Sequence, residues 1–307
     1  MLRFLTQRIM SAIPVIFGVV TLSFVILNLL PGDPVTVMLA RSGATAEQVA
    51  QLREQLGLNL PLWQQYLSYV GRVLTGDFGR SIVSSTPVID TIMDNLPATL
   101  TLSGLAMLVA IPVGIVMGAV AGVFRNSWLD RVVMGFTAVS VSVPAFWIGL
   151  MLVMLFAVQL GWLPAAGQGS PEALILPVAA LSLGAISTVA RSTRTNILEA
   201  LKQDYILTAR AQGKSETVIL FRHALPNALV PVVTMIGLQF GWLFSGAFFI
   251  EAAFSRRGLG TVMVDAINSS DFPVVQGAVL FTALFYVVLN IVVDVLYALI
   301  DPKITFD

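Results

Sequence analysis

Few residues in this 307-residue chain could do chemistry. Gly213-Lys214-Ser215 resembles the end of a phosphate-binding loop, G-x-x-x-x-G-K-[ST]. The first glycine of that pattern would fall at position 208, which is Thr208. The residues before Gly213 also have helical rather than strand spacing. Nucleotide binding is therefore not expected here, and an ATP site, if there is one, belongs on another chain. There is no cysteine, which excludes disulfides, thiolate metal sites and cysteine nucleophiles. His223 is the only histidine, too few for a histidine-based metal site. No H-E-x-x-H run occurs and no Ser–His pair is suggested, so neither catalytic residues nor metal ligands are expected. Glu251 and Asp294 lie in apolar runs, where a proton- or ion-coupled carrier would need an ionisable group. Glu251 falls near the outer end of its span, at the interface. Asp294 falls about 10 Å from the inner end of its own span at a rise of 1.5 Å per residue, as a satisfied structural carboxylate.

The elements that would position these groups are membrane spans. The composition is 57% hydrophobic and 11% charged, with a mean hydropathy of +0.88. A soluble domain carries about a quarter charged residues, so this is a multi-span membrane protein. Its formal net charge is zero, which gives no nucleic-acid surface. The basic start, MLRFLTQR, leads into a long apolar run without a convincing cleavage site, so the first span is read as retained. The apolar runs predict six spans, at residues 9–30, 98–123, 132–158, 173–190, 229–253 and 276–300. Pro112, Pro144 and Pro177 sit within spans and can bend them. Gly114, Gly118 and Gly122 recur every four residues on the second span, and Gly237, Gly241 and Ser245 on the fifth. Small residues at that spacing let helices approach closely in lipid.

The chain thus divides into a tail with the first span (1–30), an extramembrane segment (31–97) and a five-helix core (98–307). The extramembrane segment opens on the breaker cluster Pro31-Gly32-Asp33-Pro34. Thr45 and Gln48 form a capping box for a short helix stopping at Gly57. Pro61 suits the first turn of another, with Leu62, Tyr66, Tyr69 and Val73 as its apolar face.

The longest polar interruption of the second half is residues 196–229, within a loop spanning 191–228. Leu198, Leu201, Tyr205, Thr208 and Ala209 have helical spacing. Gly213 follows, where a helix needs a left-handed residue to stop. Ser215 caps a second helix with Glu216 in its first turn. Val218, Phe221 and Leu225 form that helix's apolar stripe, and Pro226 ends it. A helix–glycine turn–helix between two spans is suited to docking a soluble partner.

Thr208-Ala209, Gly213 and Leu225-Pro226 sit at the spacing of the EAA loop of ABC importer permeases. Asp204-Tyr205-Ile206 and Thr208-Ala209-Arg210-Ala211-Gln212-Gly213 resemble its dipeptide, oligopeptide and nickel branch, with Leu207 in place of the glutamate that names the loop. Further matching runs are Gly76-Asp77-Phe78-Gly79, Ser81, Pro87-Val88, Leu96-Pro97-Ala98-Thr99-Leu100, Ile250-Glu251, Gly258-Leu259-Gly260 and Asp271-Phe272-Pro273, so the likeness covers nearly the whole chain. It implies an all-α membrane protein with the six-helix type I permease fold and a small periplasmic domain after the first helix. Asp204, Tyr205, Thr208, Ala209, Arg210, Ala211, Gly213, Leu225 and Pro226 would form the ATPase-coupling loop. The implied partners are a second permease subunit, two ABC ATPases carrying the ATP, a periplasmic or lipid-anchored solute-binding protein, and membrane lipid. No cofactor is implied on this chain. One departure is Arg256-Arg257, where family members often have Trp-Pro; it is expected to alter the outer loop facing the binding protein or the mouth of the path.

The resemblance implies transport of di- or oligopeptides, with a nickel or glutathione-type solute as the alternative. An ion-coupled secondary transporter is the competing class, and transport without any ATPase would favour it. Orientation follows from the basic residues. With a cytoplasmic N-terminus the inner side holds Arg3, Arg8, Arg125, Arg131, Arg191, Arg194, Lys202, Arg210, Lys214, Arg222 and Lys303, and the outer side only Arg41, Arg53, Arg72, Arg80, Arg256 and Arg257. Positive-inside then puts both termini and the coupling loop in the cytoplasm, and the resemblance implies the inner (plasma) membrane of a prokaryote.

Overall fold

A computed structural model describes residues 2–29, 47 and 59–300. The expected capping box at Thr45, the helix stop at Gly57 and the breaker cluster at Pro31 lie outside the described residues. The described chain is nearly all helical. In chain order it runs α1 (Leu2–Leu29), α2 (Leu62–Leu74), α3 (Val88–Val123), α4 (Trp128–Ser142), α5 (Ala145–Leu152), a π-helical turn (Val153–Gln159), α6 (Ile175–Ala200), α7 (Asp204–Ala211), α8 (Leu225–Ala253), α9 (Leu259–Ser269) and α10 (Phe272–Ile300). Among the described residues, four helical segments are long and apolar enough to cross a membrane: Val88–Val123, Pro171–Ala200, Met235–Ala253 and Phe272–Val295. The bent pair Trp128–Ser142 and Ala145–Gln159 supplies a fifth if counted as one span, and α1 contributes a shorter apolar stretch, Met10–Val25.

Two of the expected spans differ in outline. The run 132–158 is not one helix, because α4 and the segment after it meet at 105°. Val143 is extended (φ −104°, ψ 131°), as the ring of Pro144 demands of its predecessor, and Pro144 then caps α5. Pro177, by contrast, is the third residue of α6, where a missing N–H costs no intrahelical bond. The span expected from 98 begins at Val88 instead. Pro97 reads as a boundary, yet Val88 and Ile92 are fully buried one helical turn apart ahead of it.

The chain folds as two compact units, Met1–Pro97 with Gly258–Asp307, and Ala98–Arg257. In the first, α1 packs along α10. Val20, Tyr69 and Leu280 form a small core, and Phe24 meets the rings of Tyr66 and Tyr69. The apolar face expected on α2 is therefore right for Tyr66, Tyr69 and Val73, whereas Leu62 is exposed. Arg8 pairs with Asp294 at 3.1 Å, so Asp294 is a satisfied carboxylate between α1 and α10. The loop from Gly79 to Val88 closes on Asp271. Its carboxylate accepts from the Ser81 hydroxyl (2.5 Å) and the Ile82 and Val83 N–H groups (3.1 and 3.4 Å).

In the second unit α6 is central, against α4, α5 and α8. Leu102, Ala106 and Ala110 of α3, Leu181 and Ala185 of α6, and Leu243, Ala247 and Ile250 of α8 meet in one core. Each set recurs at three- or four-residue steps, which keeps it on one helix face. Ala106, Ala110, Ala185 and Ala247 are the small members of this set, and they allow the close approach that drives association in lipid. A Cβ on Gly114 would lie 2.6 Å from the Val189 Cβ. On Gly118 it would meet the Ala190 carbonyl and Thr193, and on Gly122 it would lie 3.1 Å from Ile197. The glycines of α3 thus let it lie directly on α6.

Candidate coupling loop and the helix ends beneath it

The expected first helix of the loop is two pieces. Helix α6 continues out of the apolar region to Ala200, turns through 201–203, and α7 restarts at Asp204. The break rotates the buried face. Ile197, Ala200, Ile206 and Ala209 are buried, while Tyr205 and Thr208, expected on the apolar face, are exposed. Helix α7 stops as its sequence dictates. Gly213 has φ +76°, the Gly213 N–H donates to the Arg210 carbonyl (2.9 Å), and the Lys214 N–H reaches back to that of Ala209 (3.3 Å). These two bonds are the Schellman closure, which needs a left-handed residue where Gly213 stands.

Beyond it the Ser215 hydroxyl accepts from the Val218 N–H (3.5 Å) and caps one turn, Glu216–Val218. The backbone then opens into a π-helical turn, Ile219–Ala224, and runs straight into α8. Two expectations are corrected in this stretch. Val218 and Phe221 are exposed, and the buried pair is Ile219 and Ala224. Those two are five residues apart, the repeat of i→i+5 bonding, which a search at three- and four-residue steps does not find. Pro226 does not end the helix. It sits in the first turn of α8, where its missing N–H is tolerated.

Ion pairing across the glycine turn is the main feature the sequence reading missed. Arg210 Nε and Nη2 donate to Glu216 Oε1 and Oε2 at 2.8 and 3.1 Å. The guanidinium holds the Glu216 carboxyl below the usual carboxylate range, and the carboxylate raises Arg210 in turn. Residues six apart with a turn between them carry no helical-spacing signal. Lys214 Nζ lies 3.2 Å from His223 Nε2.

The loop rests on a small core of Ile197, Ala200, Ile206, Ala209, Ile219, Ala224 and Ala228. It stands off the last turn of α3 across an apolar cleft of about 530 Å³, lined by Val123, Phe124, Arg210, Glu216 and Phe221 among others. Asp204, Arg210, Ala211 and Gly213 are exposed along with Tyr205, Leu207 and Phe221, whereas Ala209 packs inward and Leu225 is half-buried.

At the far end of α8 the Arg256 side chain is buried rather than displayed. Its Nη1 donates to the carbonyls of Gly167 (3.0 Å) and Ala173 (3.4 Å), and Gln168 donates to the Arg257 carbonyl (2.8 Å). Burial lowers the Arg256 guanidinium, opposed by the Glu251 carboxylate. Glu251, expected at the interface, is buried in protein.

This arrangement, apolar helices joined by a helix–turn–helix loop seated on their ends, is that of a transport permease. Residues 110–306 match the family of binding-protein-dependent transport system inner membrane components, and residues 1–103 match the N-terminal membrane component of the same systems. The chain belongs to this family, and it is a multi-pass inner-membrane permease of a binding-protein-dependent ABC importer. It is 43% identical over 306 residues to the glutathione transport system permease protein GsiC of Salmonella choleraesuis (strain SC-B67), covering all of both chains. Its identity to that of Escherichia coli (strain K12) is 41% over the same length. Among solved structures, the fold is similar to the inward-facing MetNI methionine ABC transporter (TM-score 0.60, 18% identity, 69% of this chain and 97% of that one). It is also similar to an amino acid ABC transporter crystallised with histidines (TM-score 0.53, 20% identity, 70% and 95%). The type I permease fold expected from the sequence is thereby established.

Proposed function

We propose that this permease forms half of a translocation path for glutathione or a closely similar short peptide, delivered by a solute-binding protein. The observation that carries the solute is the full-length likeness to permeases named for glutathione transport. It favours the glutathione alternative over the broader di- and oligopeptide reading. In this reading the chain is not an enzyme and holds no cofactor; ATP is bound by two partner ATPases. They dock on the loop around Asp204, Tyr205, Thr208, Arg210, Ala211 and Gly213, in the cytoplasm with both termini. Gly213 shapes the turn, Ala209 seats it, and Leu225-Pro226 joins it to α8. The second permease packs beside this one, and Gly237 and Gly241 on α8 allow close helix packing within the bundle. The segment 31–97 faces the binding protein on the outer side. ATP-driven closure would move the loop, and differential binding of ATP states by the partner would supply the free energy.

The test is uptake by vesicles carrying the complete importer. Labelled glutathione should enter only with ATP and binding protein, and unlabelled glutathione should compete better than dipeptides, longer peptides or nickel. Better competition by any of those would reassign the solute. Uptake without the ATPases would favour an ion-coupled carrier.

A further inference from the structure

Beneath the loop, one charged pair is placed where the loop's movement would have to pass. Asp130 lies in the first turn of α4, capped by Ser127, and is 4% exposed. Arg194 lies on α6, six residues before its end. Arg194 Nε donates to Asp130 Oδ1 at 2.6 Å and Nη2 to Oδ2 at 2.8 Å, a two-pronged geometry that fixes orientation as well as distance. The Asn126 N–H donates to the same carboxylate (2.9 Å), so the pair also holds the turn between α3 and α4. One helical turn along α6, Ile197 touches Gly122 of α3 and belongs to the loop's own core. The loop itself stands off the end of α3 across the apolar cleft. Helix α6 is thus the rigid link from the loop to the α3–α4 turn, and Asp130–Arg194 is its charged fastening.

We propose that Asp130 and Arg194 are a positioning pair that carries movement of the coupling loop to the α3–α4 turn, and so sets how much transport each ATP drives. This rests on the reading of the loop as the ATPase dock. Packing of small residues would hold α3, α4 and α6 together without the pair, but would let the turn slip when α6 moves.

The experiment compares Asp130→Asn, Arg194→Gln, the double variant and Arg194→Lys with the unaltered chain in the complete importer. It reads ATPase retention on membranes, ATP hydrolysis, and solute imported per ATP. The single variants should retain the ATPase and hydrolyse ATP, while solute imported per ATP falls on the order of tenfold. The double variant should be no worse than either single, because the two side chains act as one unit. Arg194→Lys, which keeps the charge and loses the fork, should recover part of the loss. Unchanged import per ATP in both single variants would overturn the proposal. Loss of the variants from the membrane, or of their ATPase, would also overturn it, by making the pair a packing element alone. Failure of the unaltered chain to hold an ATPase would instead refute the docking role of the loop, and this inference with it.

Discussion

At Gly213 the backbone sits at φ +76° and nothing lies within 4 Å of where a Cβ would point. Gly213→Ala should therefore cost only the left-handed backbone penalty, roughly 1 kcal/mol. Gly213→Val adds the higher backbone cost of a β-branched residue at positive φ, and its bulk extends outward from an open Cβ position toward a partner surface. The expected result is a folded, inserted chain whose ATPase copurifies poorly or hydrolyses without uptake, more so for Val than for Ala. Normal retention and uptake in Gly213→Val would remove the loop from coupling. The neighbouring Arg210–Glu216 pair predicts a pH response. Glu216's depressed carboxyl lets the pair hold the turn fully above the ordinary carboxylate range. That hold is lost as pH falls through the depressed value. Proteolysis within 204–218 should thus stay slow down to mildly acidic pH and accelerate below it. In Glu216→Gln the rate should be higher throughout and nearly flat with pH.

Between elements, the contacts divide into glycine packing and polar clasps. A Cβ on Gly118 runs into the Ala190 backbone, which has no rotamer to adjust. Gly118→Val should accordingly force α3 from α6 and destabilise by about 1–3 kcal/mol, as overpacked cores do. Denaturant titration in detergent measures it, and a shift near zero would mean α3 adjusts freely. The clasp at Asp271 behaves differently. Asp271→Ala leaves the Ser81 hydroxyl and the Ile82 and Val83 N–H groups without their acceptor, at about 1–3 kcal/mol for an abandoned buried group. Its readout is local: faster protease cleavage between Gly79 and Val88 with the spans intact. Equal cleavage rates would show that the loop holds itself closed.

For the whole molecule the decisive measurements are topology and partnership. A reporter fused after Lys214 should be cytoplasmic and one near Gln64 outside, from the bias of basic residues. The opposite placement of both would discard the orientation. The purified chain should hydrolyse no ATP by itself, since the only run resembling a phosphate loop has Thr208 where its first glycine belongs and runs from the end of α7 through the glycine turn. Robust hydrolysis by the isolated chain would contradict that.

What the sequence determined by itself was whatever depends on neighbours along the chain. Apolar length marked most spans, because a hydrocarbon layer tolerates little else over that distance. A glycine between two helical patterns marked the left-handed turn at Gly213, and glycines four apart on α3 marked the face that meets α6. Tertiary structure alone decided what depends on residues distant in sequence or on a change of helical period. The π turn at Ile219–Ala224 buries Ile219 and Ala224 and leaves Phe221 exposed, because its i→i+5 bonding shifts every later side chain around the axis. Arg256 lies in the loop after α8, and only the assembled fold shows its guanidinium on the Gly167 and Ala173 carbonyls. Asp130 and Arg194 are 64 residues apart, and no local pattern distinguishes a buried charge with a partner from an exposed one without. A charge near lipid is stabilised by whatever the fold brings opposite it, and only the assembled helices supply that group.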